Sequence, residues 1–99
     1  MNRAILKDKK IYVFPDNDSH VVFTAKNKEV NIHYIRSHKT GDAHLLMEEL
    51  YKDFSNRLFR TDVLKCRKRA FKFWKSEKFI KVNTVRLDLV IYEMEKMVL

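Results

Sequence analysis

The sequence predicts an α+β protein in which an amino-terminal antiparallel β-meander of three to four strands is followed by about three helices. Segments rich in β-branched and aromatic residues alternate with polar turns up to residue 36. From residue 42 onward, apolar residues recur at helical spacing. The loops between the early segments are too short for the crossovers that parallel strands need. At 99 residues, the chain predicts a single domain, residues 1–99.

The predicted strands lie within residues 3–36. Pro15 ends one of them, because proline cannot donate a hydrogen bond to a β-ladder. Further along, Val21, Phe23 and Ala25 would share one face, which indicates a strand with one buried side. The predicted strand segments are residues 4–6, 11–14, 20–25 and 30–36.

Three helices are predicted, within residues 42–59, 61–78 and 84–98. Thr40 or Asp42 can cap the first helix, and the Thr61-Asp62 pair can cap the second. The last segment fits a helical face but also alternates like a strand, and its polar tail favours the helix. Its helical face would contain Leu87, Val90, Ile91, Met94 and Val98.

The second predicted helix carries most of the excess positive charge. The protein has a formal net charge of +8, and ten basic but only two acidic residues lie between positions 57 and 81. On a helix, five basic side chains share an arc of about 120°. Such a face is typical of proteins that contact nucleic-acid phosphates, and also of faces that simply stay in solvent. The five residues are Lys65, Lys68, Arg69, Lys72 and Lys75.

Arg67 is an exception on this predicted helix, because it projects into the middle of the apolar arc. A buried guanidinium needs a carboxylate or several carbonyl partners. The sequence therefore predicts that Arg67 is held against the core by an acidic residue. The candidates are Glu48, Glu49, Asp53 and Asp88.

Known catalytic and metal-binding motifs are missing from the sequence. Gly41 is the only glycine, which excludes glycine-rich phosphate loops and the nucleophile elbow of hydrolases. Four histidines and the single Cys66 show no zinc-site spacing. Pro15-Asp16 is not followed by the Asp/Glu-x-Lys pattern of a PD-(D/E)xK nuclease. We therefore predict no enzyme, no metal and no cofactor.

The sequence favours a small, basic, non-catalytic protein that contacts nucleic-acid phosphates through the five basic residues above. One alternative is a protein–protein adaptor or host-factor inhibitor that meets an acidic protein surface with the same face or with residues 94–97. A metal-dependent nuclease is a third possibility. No apolar run is long enough to span a membrane. We expect an intracellular protein, with a homodimer left open.

The overall character of the chain resembles that of small orphan proteins from archaeal filamentous viruses, such as those infecting Acidianus and Sulfolobus. The shared features are the short length, the near absence of glycine, the high charge and the order of strands before helices. The resemblance covers the whole chain but involves no motif, so it assigns no site residue. It implies a hot and acidic host, a stable soluble domain in the host cytoplasm and an unassigned role in infection.

Overall fold

The computed structural model describes residues 1–99 as seven β-strands and two α-helices. Four strands come first, and each helix is then followed by further strands. In chain order the elements are β1 (Asn2–Leu6), β2 (Lys9–Val13), β3 (His20–Ala25), β4 (Glu29–Arg36), α1 (Asp42–Asp53), β5 (Arg57–Leu64), α2 (Lys68–Ser76), β6 (Ile80–Arg86) and β7 (Val90–Val98).

All seven strands form one mixed sheet in the order β1-β2-β3-β4-β5-β7-β6. Most neighbours are antiparallel, because short turns join consecutive strands. β4 and β5 are parallel, because the α1 crossover lies between them in the chain. The sheet therefore has one parallel pair near its middle, flanked by antiparallel strands.

Both helices contribute to a single core on one face of the sheet. Alternate residues of the central strands face this core, and the buried ones include Ile32, Phe59 and Met94. Leu46 and Leu50 of α1 lie in the same core. α2 adds a buried tryptophan, Trp74. No helix covers the opposite face of the central strands, whose side chains are mostly polar: Glu29, Asn31, His33, Arg60, Asp62, Glu93 and Glu95.

The predicted fold class is wrong in its second half. Residues 57–64 and 80–98, which were expected to be largely helical, form β5, β6 and β7, and the protein has two helices instead of three. The error has a physical reason: residues four positions apart share a face in a strand as well as in a helix. Met94 and Val98 were placed on one face of the predicted helix. They are four residues apart and both are buried, but they belong to strand β7.

The predicted environment of Arg67 is also wrong. The second helix begins at Lys68, so Arg67 precedes it and does not lie on an apolar helical face. Its side chain is exposed and forms no ion pair. The buried ion pair was expected because the second helix was predicted to begin at residue 61, about two turns before its actual start at Lys68.

The first half of the chain has four strands in the region of residues 3–36, and α1 lies inside the range predicted for the first helix. That helix ends at Asp53 because β5 begins three residues after Phe54, its C-cap. Neither helix of the structure is long and apolar enough to cross a membrane.

Candidate functional site

The parallel pairing of β4 with β5 covers only part of each strand. It runs from Glu29 opposite Leu58 to Ile32 opposite Thr61. At its end the Thr61 hydroxyl donates to the carbonyl of Ile32 at 3.4 Å. Beyond this point the two strands continue, but each bonds only to its other neighbour. We call the resulting gap between residues 33–36 and 62–64 the β4–β5 opening.

A β-bulge in β4 coincides with the start of this opening. β3 pairs Val22 with Tyr34 and Phe23 with Ile32, so His33 is an extra residue without a partner. A bulge bends its strand and increases its local twist. The bend at His33 accounts for the separation of β4 from β5 directly after Ile32. Bulges are over-represented beside active sites, where they redirect side chains and end strand pairing.

A cavity of about 200 Å³ occupies the β4–β5 opening. Its lining is mostly apolar, and the unpaired edges of two strands border it. Such a cavity suits a long, narrow ligand with amide groups, because amides can bond to an unpaired strand edge while the chain between them packs on apolar side chains. The lining residues are Ile32, His33, Tyr34, Ile35, Thr61, Asp62, Val63, Leu64, Arg67, Ala70 and Trp74.

The 37–41 loop, which connects β4 to α1, lies at the carboxyl end of β4. It places Gly41 at the N-cap of α1 with φ +91°, a left-handed conformation that favours glycine. The amide N–H groups of Ala43 and His44 have no acceptor within the protein. Free amides at a helix amino terminus attract anions, and the basic residues Arg36 and Lys39 add positive charge here.

Asp42 opposes this positive potential, because its carboxylate lies in the first turn of α1. The carboxylate is largely buried. Two donors bind its Oδ2 atom: Asn17 Nδ2 at 2.7 Å and Ser19 Oγ at 2.9 Å. Ser19 Oγ in turn accepts the His38 N–H at 2.8 Å. Asp42 therefore fixes the position of the 37–41 loop while its charge is compensated by hydrogen bonds.

Two side chains suited to proton transfer lie where the strands separate. His33 and Asp62 directly follow the last paired residues of their strands, and both line the cavity. His33 Nε2 contacts Thr24 Oγ1, and its Nδ1 has no partner in the protein. Asp62 forms no ion pair or side-chain hydrogen bond. An imidazole and a carboxylate therefore remain free to exchange protons with a ligand.

Beside them, on the uncovered face of the sheet, Arg60 joins three strands through ion pairs. Its guanidinium contacts Glu29 at 3.3 Å, Glu95 at 3.0 Å and Glu93 at 3.8 Å. Burial disfavours the charged form, but the hydrogen bond to Glu29 and the three carboxylates outweigh it and raise the pKa of Arg60. Together with His33 and Asp62, this network borders a second cavity of about 260 Å³.

The residues predicted from sequence to bind nucleic acid lie elsewhere. Lys68, Arg69, Lys72 and Lys75 are exposed on α2, and Lys65 lies in the turn before that helix. None of the five lines the β4–β5 opening. All five are exposed, but Lys65 precedes α2, so the five residues do not share the single helical arc that the sequence predicted.

Sequence reasoning did not identify His33, Thr61 or Asp62 as site residues, because their proximity depends on the pairing of distant strands. One signal was available for the loop: Gly41, the only glycine, stands between a strand and a helix. The structure contains no group of three or more His, Cys, Asp or Glu side chains placed to hold a metal ion.

The overall fold resembles that of acetyltransferases. A Desulfovibrio desulfuricans protein assigned to the GNAT acetyltransferase family superposes with a TM-score of 0.79, at 14% identity, over 93% of this chain and 70% of its own. Ard1 of Thermoplasma volcanium gives a TM-score of 0.75 at 18% identity, over 94% and 72% of the two chains. Arabidopsis thaliana Naa50, in complex with the bisubstrate analogue CoA-Ac-MVNAL, gives 0.70 at 15% identity, over 91% and 72%.

No protein-family model matches the sequence, and no curated protein is significantly similar to it. The structural neighbours nevertheless overturn the sequence-based prediction of a non-catalytic protein that binds nucleic acid. They also overturn its alternatives, a protein–protein adaptor and a nuclease, and the prediction that no enzyme is present. The resemblance to archaeal viral proteins remains an untested prediction.

Proposed function

We propose that the protein is an acyltransferase that moves an acyl group, most simply acetyl, from coenzyme A to an amine. The β4–β5 opening, which starts at the bulge of His33, is the observation that carries this proposal. It provides a small, mostly apolar cavity with unpaired strand edges inside a fold shared with acetyltransferases, one of which was solved with a CoA-containing analogue. The nucleic-acid hypothesis had no comparable cavity to support it.

The residues of the opening fit the chemistry of coenzyme A. Its pantetheine arm contains two amides in a flexible, largely apolar chain, which matches the unpaired edges at residues 33–36 and 62–64. Its phosphates are anionic, which matches the 37–41 loop and the free amides of Ala43 and His44. Arg36 and Lys39 would add charge attraction. The strand edges would thus hold the neutral pantetheine arm, and the 37–41 loop would hold the phosphates. These two groups are also adjacent in coenzyme A.

Acyl transfer to an amine needs the nitrogen lone pair, so an ammonium substrate must first lose a proton. When bound, acetyl-CoA would supply a thioester carbon that a neutral amine can attack. His33 is the best candidate to remove the proton, because it lines both cavities and its Nδ1 has no partner in the protein. Asp62 would attract the ammonium form of the substrate to the same cavity.

The amine substrate would approach from the uncovered face of the sheet. The cavity of about 260 Å³ opens on that side and is lined by His33 and Asp62, while the helices fill the other face. Coenzyme A and the amine would therefore reach His33 from different directions. Such separate access allows both substrates to be bound at once.

Calorimetric titration of CoA into wild-type protein tests the binding part of the proposal. In the variant Ala70→Phe, a ring on α2 should fill the β4–β5 opening and weaken CoA binding at least tenfold, which corresponds to about 1.4 kcal/mol. Lys72→Phe adds the same ring at an exposed position of the same helix and should leave the affinity unchanged. Equal weakening by both variants, or no binding to wild type, would contradict the proposal.

The catalytic part is tested by release of free CoA thiol from acetyl-CoA in the presence of a panel of amines and peptides. His33→Gln should lower kcat by about 10²–10⁴ while CoA affinity stays within a factor of two, because general-base catalysis contributes that much. The expected loss should shrink at high pH, where more of the amine is already neutral. An unchanged kcat in His33→Gln would exclude His33 as the base.

A further inference from the structure

Glu77 occupies a place where its charge is unfavourable. It is the C-cap of α2, and only 5% of its surface is exposed. The helix ends in a Schellman motif, in which the N–H of Phe79 bonds to the carbonyl of Trp74 and the N–H of Lys78 bonds to that of Lys75. The rings of Trp74 and Phe79 pack at 4.9 Å, which fixes the backbone around Glu77. A carboxylate at a helix carboxyl terminus opposes the helix dipole.

His44 is in the mirror-image situation at the start of α1. It lies in the first helical turn, where the helix dipole disfavours a cation. Its Nδ1 atom lies 2.6 Å from Glu77 Oε2, and the hydroxyl of Tyr51 donates to Glu77 Oε1 at 2.9 Å. Each of the two charges is unfavourable for its own helix and is compensated by the other. Local conflicts of this kind are expected at functional positions.

The His44–Glu77 bridge spans a cavity beside the proposed anion site. This cavity, of about 530 Å³, lies between the 37–41 loop, the start of α1 and the end of α2. Gly41 and Ala43 line it, and so do His44 and Glu77 themselves. The bridge is therefore a direct link between α2 and the backbone amides that would bind the phosphates of coenzyme A.

The bridge is expected to respond to pH. The hydrogen bond to Glu77 and the charge of that carboxylate raise the pKa of His44, and Glu48, 3.2 Å from Nε2, acts in the same direction. The charged and titratable groups that face the pair are Glu48 and Tyr51 on α1, Lys78 after α2 and Lys96 on β7. Of these, Lys96 lowers the pKa of His44, but the carboxylates outweigh it.

We propose that the His44–Glu77 bridge is a pH-sensitive clasp that holds the start of α1 against α2 and thereby sets the affinity for the phosphates of coenzyme A. This inference rests on the proposed function above. With His44 protonated, the clasp is an ion pair, and the imidazolium adds positive charge beside the free amides. As the pH rises and His44 loses its proton, the clasp weakens to a neutral hydrogen bond and that charge disappears. CoA affinity should therefore fall with rising pH.

Calorimetric titration of CoA between about pH 6 and pH 9, a range that brackets histidine titration, tests the clasp. Wild-type affinity should fall roughly tenfold across this range, because the imidazolium charge beside the free amides is lost. His44→Gln and Glu77→Gln should bind CoA weakly at every pH and lose most of the dependence. Glu49→Gln makes the same change elsewhere on α1 and should follow wild type, which controls for titration of the CoA phosphates.

The outcomes separate the clasp from the proposed function. Wild-type CoA binding that varies with pH no more than that of His44→Gln would refute the clasp and leave the acyltransferase proposal standing. Absence of CoA binding at every pH would refute the proposed function and with it the control of CoA affinity. In that case exchange of the Asp42 and Leu45 amide protons, which bond to the carbonyls of Lys39 and Gly41 at the start of α1, decides whether a clasp exists. Corrected for intrinsic rates, it should accelerate with pH in wild type and be fast throughout in Glu77→Gln; equal rates would refute it.

Discussion

The two halves of the β4–β5 pair differ although they belong to the same strands. In the first half, residues 29–32 and 58–61 form a regular parallel ladder, with Val30 and Phe59 completely buried beneath it. In the second half, the strands separate at the bulge of His33 and leave a cavity. The first half contributes buried side chains to the core. The second half leaves unpaired backbone groups and the side chains of His33 and Asp62 available to a ligand.

This difference shows how a small protein can carry a site without losing its core. Unpaired strand edges cost stability when they are buried without a partner. The cost is tolerated here because the ladder and the core continue directly below the opening, and because β4 and β5 remain paired to β3 and β7. We therefore expect substitutions in the first half to lower the free energy of unfolding, and substitutions in the second half to lower the affinity for a ligand.

The largest effect is expected for Phe59→Ala in the ladder half. Phe59 is fully buried and packs edge-on against Tyr51 with ring centroids 5.3 Å apart. Removing its ring should lower the free energy of unfolding by about 3–5 kcal/mol, measured by urea denaturation. Tyr34→Ala, in the separated half, removes a ring that is 48% exposed and should cost less than about 1 kcal/mol. Equal losses would remove the distinction between the halves.

A smaller effect is expected for Arg60→Gln, which leaves Glu29, Glu93 and Glu95 close together without their shared cation. Because the guanidinium is partly exposed, the loss should be about 1 kcal/mol in low salt. The remaining carboxylates repel one another, so added salt should reduce the loss. Lys72→Gln, on the exposed face of α2, serves as the control and should change stability little. A loss for Arg60→Gln that does not depend on salt would mean that its aliphatic stem, and not its charge, matters.

The amino-terminal elements could be predicted from sequence because their signals are local. Pro15 marks the end of a strand region, and Gly41 marks the change from strand to helix. The carboxyl-terminal strands could not be predicted in this way, because apolar residues four positions apart share a face in a strand as well as in a helix. β5 shows the problem: Phe59, Thr61 and Val63 are its buried face, yet the predicted helices within 42–59 and 61–78 divided this strand between them.

The candidate site could be predicted less well than the fold, since it depends on contacts between distant segments. His33 stands out only when β3 and β4 are paired, because the bulge is a mismatch between the two strands. The pairing of His44 with Glu77 likewise joins residues 33 positions apart on two helices. The basic residues of α2 drew attention because their charge is visible in the sequence, whereas a cavity between strands is not.

A small change in stability, with a clear change in binding, is expected for Gly41→Ala at the end of the separated half. Gly41 has φ +91°, so a side chain there is strained, and we expect a loss of about 1 kcal/mol in the free energy of unfolding. An added Cβ meets no atom of the protein within 4 Å and would project into open space at the mouth of the proposed anion site. CoA affinity, measured by calorimetry, should therefore fall severalfold.

Gly41→Asn separates strain from obstruction, because asparagine tolerates the left-handed conformation better than alanine does. Its stability should lie closer to wild type than that of Gly41→Ala, yet its side chain would still occupy the space in front of the free amides of Ala43 and His44. We therefore expect its CoA affinity to remain low. If Gly41→Asn binds CoA as tightly as wild type while Gly41→Ala does not, backbone strain alone explains the loss. The 37–41 loop would then not contact the phosphates, and the division between a packing half and a binding half would end at Arg36.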